Sequence, residues 1–164
     1  MQNSKCPVPK DQQPINEFIE LTNSKIFSLP KFKTKFFIVL MGIWFIAFLI
    51  FIVISSGSVF FNANLYKYLL LSLFSSLSLP LLLTIRLYLG WNHIYKRLIA
   101  ENIEYEESGW YDGQIWIKPL ELRQKESIIA SQEVKPILKK LTQTIASILI
   151  LVLTGISFFQ YFKI

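Results

Sequence analysis

The sequence predicts an all-α membrane protein with three transmembrane helices and a short extramembrane β-hairpin between helices two and three. Three observations predict it. The 164-residue chain is 52% apolar, above the roughly 45–50% usual in soluble domains. Residues 36–54 run without a single charge, a longer apolar stretch than a soluble core helix needs. Between the second and third apolar runs, two short stretches of alternating polarity flank a glycine-containing segment, the pattern of paired strands. Such a composition excludes a cytosolic globule and a disordered chain. Cys6 is the only cysteine, so no disulfide scaffold is available.

Residues 1–35 are expected to form an extramembrane N-terminal tail. Its prolines, in Cys6-Pro7-Val8-Pro9 and Gln13-Pro14, disfavour helix in the residues before them. Ile15, Phe18, Ile19 and Leu21 then suit a short amphipathic turn lying on the membrane surface or serving to dock. The polar, proline-punctuated start lacks the basic-then-apolar pattern of a secretory signal. Transmembrane helix 1, residues 36–54, spans about 28 Å at 1.5 Å per residue, close to the hydrocarbon thickness of a bilayer. Transmembrane helix 2 is expected over residues 68–89, with a kink at Pro80. Ser72 and Ser76, four residues apart, give it one small-residue face for close packing. Leu87, Trp91, Ile94 or Tyr95, and Leu98 continue the helical period beyond the membrane. Tyr88 and Trp91 fall where an interfacial aromatic belt belongs, and Arg86 can reach headgroups.

Residues 90–140 are expected to form an extramembrane helix-hairpin-helix region. Ile103 and Tyr105, then Ile115 and Ile117, read as two strands, with Ser108-Gly109 or Asp112-Gly113 as the turn. Pro119 opens a helix whose apolar stripe is Leu122, Ile128 and Ile129. Pro136 is either a kink or a fresh start, and transmembrane helix 3 covers residues 141–162.

Charge distribution orients these segments. Net charge is +6, with 17 basic and 11 acidic residues. The tail holds six lysines against three acids, and residues 86–140 hold nine basic residues; the positive-inside rule places both on the side of synthesis. Lys31, Lys33 and Lys35 form an orientation signal or attract anionic headgroups. Fourteen lysines accompany only three arginines, so the bidentate fork suited to base recognition is scarce. The expected partners are therefore the lipid bilayer and a membrane protein complex, with no nucleic acid.

No reaction centre emerges from the residues. His93 is the only histidine, and one His with one Cys and no Glu-x-x-His pair cannot assemble a zinc or di-iron site of the usual kind. The spans contain no charge apart from Arg86 at an edge, which argues against a transporter. Catalytic and metal-binding residues are both expected to be absent, and the residues imply no particular cofactor. The interaction candidates are Arg86 and the hairpin residues Tyr105, Glu106, Glu107, Gly109, Trp110, Tyr111, Asp112, Gly113 and Trp116. Exposed Trp and Tyr suit headgroup insertion or a protein hot spot.

The run from Tyr105 to Pro119, with Arg86-Leu87-Tyr88-Leu89-Gly90-Trp91 before it and Cys6-Pro7-Val8-Pro9, Gln13-Pro14-Ile15-Asn16-Glu17 and Val134-Lys135-Pro136-Ile137-Leu138 around it, resembles a known family. It is similar to the hypothetical chloroplast reading frame thirty-six proteins of plastids and cyanobacteria, whose plant relatives are described as conserved in the green lineage and diatoms. Gln13 and Lys135 depart from arginines frequent in those relatives. The resemblance covers nearly the whole chain and implies a plastid integral membrane protein of a photosynthetic organism. The expected function is non-catalytic, as an assembly or interaction factor for photosynthetic membrane complexes. The alternative is a pigment-, haem- or metal-handling protein with His93, Glu106, Glu107 and Asp112 as ligands.

Overall fold

The structure, a computed structural model, describes residues 7–57, 65–105 and 114–161, the side chains of Phe159 and Gln160 excepted. Its elements in order are α1 (Pro14–Asn23), α2 (Lys33–Ser56), α3 (Leu65–Ser75), α4 (Ser78–Ile99), β1 (Asn102–Tyr105), β2 (Gln114–Ile117), α5 (Leu120–Ile129) and α6 (Lys135–Tyr161). Three helical stretches are long and apolar enough to cross a membrane, beginning at Lys33, Leu65 and Leu120. A two-stranded antiparallel sheet lies between the second and third. The chain divides into two compact units.

One unit comprises residues 29–88 and 139–164. Here α2 buries only Phe36, Leu40 and Ala47 of its 24 residues. Phe37, Ile38, Met41, Phe45, Ile46, Val53 and Ile54 are all exposed. In water that surface would be costly, at about 25 cal/mol per Å²; against hydrocarbon it is the favoured arrangement. Beside the buried Phe36, Leu87 and Leu141, the interior takes hydroxyl side chains: Ser72, Ser76, Thr84 and Thr144 are buried. Each hydroxyl is satisfied locally. Ser72 Oγ meets Ser55 Oγ at 3.2 Å, Ser76 Oγ donates to Leu73 O at 2.7 Å and Thr84 Oγ1 to Pro80 O at 2.7 Å. The Ser72 and Ser76 face thus packs inside the chain's own bundle. Close approach recurs at Gly155, where an added Cβ would stand 2.4 Å from the Phe74 ring.

Proline chemistry moves the expected break in the second apolar helix. The helix stops at Ser75 and restarts at Ser78, so the interruption lies at Ser76 and Leu77, one turn before Pro80. The Pro80 ring crowds the carbonyl four residues back, at Ser76, while Pro80 itself occupies the first turn of α4, where no N–H is required. Pro136 has a related effect. Ala130–Val134 forms a π-helical turn in which the Lys135 N–H donates to Ala130 O, five residues back. Widening the turn here carries the helical path past a residue with no N–H to give, and α6 starts afresh at Lys135 with Pro136 in its first turn, where no N–H is required.

The other unit comprises residues 7–28 and 89–138. Its core is Phe18, Trp91, Ile94, Leu98, Ile103, Tyr105, Ala130, Val134 and Ile137, with Val8. The residue expected to join an aromatic belt is instead fully buried. Trp91 meets Phe18 edge-on, ring centroids 6.2 Å apart, and donates Nε1–H to Phe27 O at 3.0 Å. Next to it Gly90 leaves room for the Phe27 ring, which an added Cβ would meet at 2.5 Å. The helical period from Leu87 to Leu98 is therefore a core stripe, and α1 is packed by Phe18 rather than lying free.

Candidate functional site

The hairpin register is Asn102↔Ile117, Ile103↔Trp116, Glu104↔Ile115 and Tyr105↔Gln114. Because successive side chains alternate faces, Ile103, Tyr105, Trp116 and Gln114 share one face. Ile103 and Tyr105 form a buried cluster with Val8, and Trp116 packs against it. Tyr105 donates its hydroxyl to Gln114 Oε1 at 2.6 Å. The other face carries Ile115 and Ile117, 64% and 68% exposed, and the chain continues into Leu120 at 68%. Trp116, expected as an exposed hot spot, therefore faces inward and anchors the strand. The accessible apolar groups are the isoleucines that alternation alone left without a side.

Beneath the hairpin lies a buried ionic joint. Lys118 and Glu126 pair with side chains 0% and 1% exposed. Lys118 Nζ also donates to Arg97 O at 2.8 Å and Leu98 O at 3.3 Å, so two of its three N–H groups close the C-terminal end of α4, where a cation is favoured by the helix dipole, and the third meets Glu126. Burial pushes the Glu126 carboxyl above its ordinary value, against the opposing pull of Lys118 and then Arg97. Arg97 pairs with Glu17 and donates Nη2–H to Gln12 O at 2.8 Å, tying α1 to α4. Glu17 is likewise raised by burial, opposed by Arg97 and His93. Its Oε2 is buried and accepts no hydrogen bond. On the surface Arg123 meets Glu101 at 3.0 Å. Lys118 and Arg123 are thus committed to Glu126 and Glu101.

Two cavities flank exposed His93. One of about 410 Å³ is lined by His93, Lys96, Arg97, Ala100, Asn102, Ile103 and Glu104. The second, about 360 Å³, is lined by Glu17, Glu20, Leu21, Ser24, Phe27, His93 and Ile94. Among the described residues no three His, Cys, Asp or Glu side chains gather as a metal site.

Of the interaction candidates, Tyr105 is buried and Trp116 half-buried, and Arg86 is exposed on α4 in the membrane-type unit. Glu106, Glu107, Gly109, Trp110, Tyr111, Asp112 and Gly113, with both proposed turns, lie outside the described residues. The alternative ligand set shares that position apart from His93. Sequence reasoning missed Lys118, Glu126 and the Arg97–Glu17 pair. A signal existed for one of them: Glu126 stands four residues from both Leu122 and Ala130, on the stripe the helix buries.

Residues 6–147 match the family model described as conserved in the green lineage and diatoms 27. The chain is 35% identical to the ycf36 protein of Pyropia yezoensis, covering 98% of each chain. It is 37% identical to that of Cyanophora paradoxa, over 89% of this chain and 92% of the relative. It is also 36% identical to the chloroplastic Arabidopsis thaliana protein named conserved in the green lineage and diatoms 27, over 87% of this chain and 44% of the relative. No solved structure matches. With the matched region running from the N-terminal prolines through the hairpin into α6, the chain belongs to the family conserved in the green lineage and diatoms.

Proposed function

We propose that the chain is a three-span membrane protein of plastids that acts as a non-catalytic interaction or assembly factor for photosynthetic complexes in the thylakoid. The residues before α2 and the 90–140 region face the stroma. The outward face of β2 carries this reading: Ile115 and Ile117, with Leu120 beyond them, are exposed while Trp116 holds the same strand to its core. A contiguous apolar surface on an anchored strand suits a protein partner. An open-edged hairpin also belongs outside hydrocarbon, where its free N–H and C=O groups find water or a partner. The chloroplastic relative and the lysine bias of the two flanking regions support the compartment and the orientation.

Affinity purification from detergent-solubilised thylakoids tests the proposal. The wild type is expected to bring down membrane-complex subunits that Ile115→Ser/Ile117→Ser loses while keeping its own melting temperature. Identical partners with both forms, or no partner with either, would overturn it. Membrane-impermeant labelling from the stromal side is expected to reach both the N-terminal region and the hairpin.

A further inference from the structure

The acidic residues are distributed with unusual one-sidedness. All eleven fall at positions 11–20 or 101–133, and residues 29–88 and 139–164 contain none. That unit therefore carries basic side chains and no acidic one. Lys33, Lys35, Lys139 and Lys140 lie at or near the starts of α2 and α6, whereas Lys67 stands apart on α3. Lys33 and Lys35 open α2 and are exposed. Lys139 and Lys140 stand near the start of α6, and Lys140 Nζ donates to Pro30 O at 2.6 Å. That bond ties the start of α6 to the residues leading into α2, so lysines of both helices stand at the ends that the bond joins. One Lys140 N–H is used by the bond and two remain.

The apolar groups beside these ends are also exposed. Phe32, 55% exposed, lies under the Lys35 ammonium at 5.0 Å. Phe37, one turn beyond Lys33, is exposed as well, and Ile38 and Met41 follow it along α2. Ammonium groups at the end of a helix whose exposed face is aromatic and aliphatic have the two-part chemistry of a lipid with a charged head: anion at the rim, acyl chain along the helix. A free inorganic anion would use the first part and leave the second bare.

We propose that Lys33, Lys35, Lys139 and Lys140 hold the headgroup of an anionic membrane lipid at the joined entry of α2 and α6, with its acyl chain along Phe37 and Met41. The proposal rests on the membrane reading above, and the experiment separates the two. Each lysine near an anionic surface is worth about fivefold in affinity. The full chain is first extracted with carbonate and then with detergent, exchanged into nanodiscs of equal phosphatidylglycerol and phosphatidylcholine, and its retained lipid measured by native mass spectrometry. Wild type is expected to retain phosphatidylglycerol at least fivefold over phosphatidylcholine, on the order of one lysine's contribution. Lys33→Gln/Lys35→Gln/Lys139→Gln/Lys140→Gln is expected to bring that ratio near one, and the corresponding four arginine substitutions to keep it. Equal retention of the two lipids by wild type, an unchanged ratio in the glutamine variant, or displacement of the lipid by excess inorganic phosphate would overturn the lipid site while leaving the membrane reading standing. Release of the protein by carbonate alone would overturn both.

Discussion

The two units of this chain differ in what they leave exposed and in how many hydroxyl groups they bury. In residues 7–28 and 89–138 the large side chains go inside: Trp91, Leu98 and Val134 are fully buried, and the buried charges are paired. In residues 29–88 and 139–164 the interior holds Ser72, Ser76 and Thr84, and the large aliphatic groups of α2 are exposed. Under the membrane reading proposed above, both arrangements follow from one rule applied in two solvents. Water drives apolar area inward, whereas hydrocarbon leaves it indifferent, so helices there meet through small residues and hydroxyls.

Removing the joint under the hairpin is the hardest test of that contrast. Lys118→Met leaves Glu126 buried without its cation and Arg97 O and Leu98 O without their donor. It should cost about 3–5 kcal/mol, read as lost melting temperature and early proteolysis at the hairpin. Lys118→Met/Glu126→Leu should recover most of that loss, because no uncompensated charge remains; equal damage in both forms would show that the ion pair matters only through its helix cap.

Next in size is a matched truncation in each unit. Trp91→Ala should cost about 3–5 kcal/mol from lost burial and the cavity left behind. Ile46→Ala on α2 should stay within about 0.5 kcal/mol. Comparable losses would mean that α2 is covered in the native state rather than facing lipid. Charge reverses the contrast: Ile46→Lys, near the middle of α2, should raise the cost of membrane insertion by about 2.5–3.5 kcal/mol. Ile117→Lys should leave melting nearly unchanged and weaken partner capture.

The smallest effect is a pH dependence at Glu17, which faces Arg97, His93 and Glu20. Its carboxyl lies above the ordinary value of 4.5, so the folded state favours the neutral form. The stability tied to that form is present below the ordinary value and lost as pH rises through the raised one. Glu17→Gln does not titrate, so its melting temperature should gain on wild type as pH rises from below the ordinary value of 4.5 through the raised one. A gap that stays constant would mean the attraction of Arg97 cancels the burial.

Periodicity disclosed most of the architecture. The uncharged run of 36–54 appears within α2, and the two alternating stretches appear as β1 and β2. What alternation cannot disclose is which face is inside. Ile115 and Ile117 are as apolar as Trp116, and only pairing with Ile103 turns the tryptophan inward. Trp91 misled for a similar reason, since an aromatic near the end of a span suits either an interface or a core, and Gly90 and Phe27 decide it. Lys118 was illegible because a lysine beside a proline normally lies in solvent; its partner is eight positions on and its acceptors twenty and twenty-one positions back.

That last separation bears on how the chain is made. The final carbonyls of α4 receive their ammonium only when residue 118 has been synthesised, and the ammonium receives its carboxylate only at residue 126. During elongation, then, the second long helix waits with a frayed end until the strands have closed and the following helix has begun, and a ribosome paused anywhere between those points carries an unfinished joint.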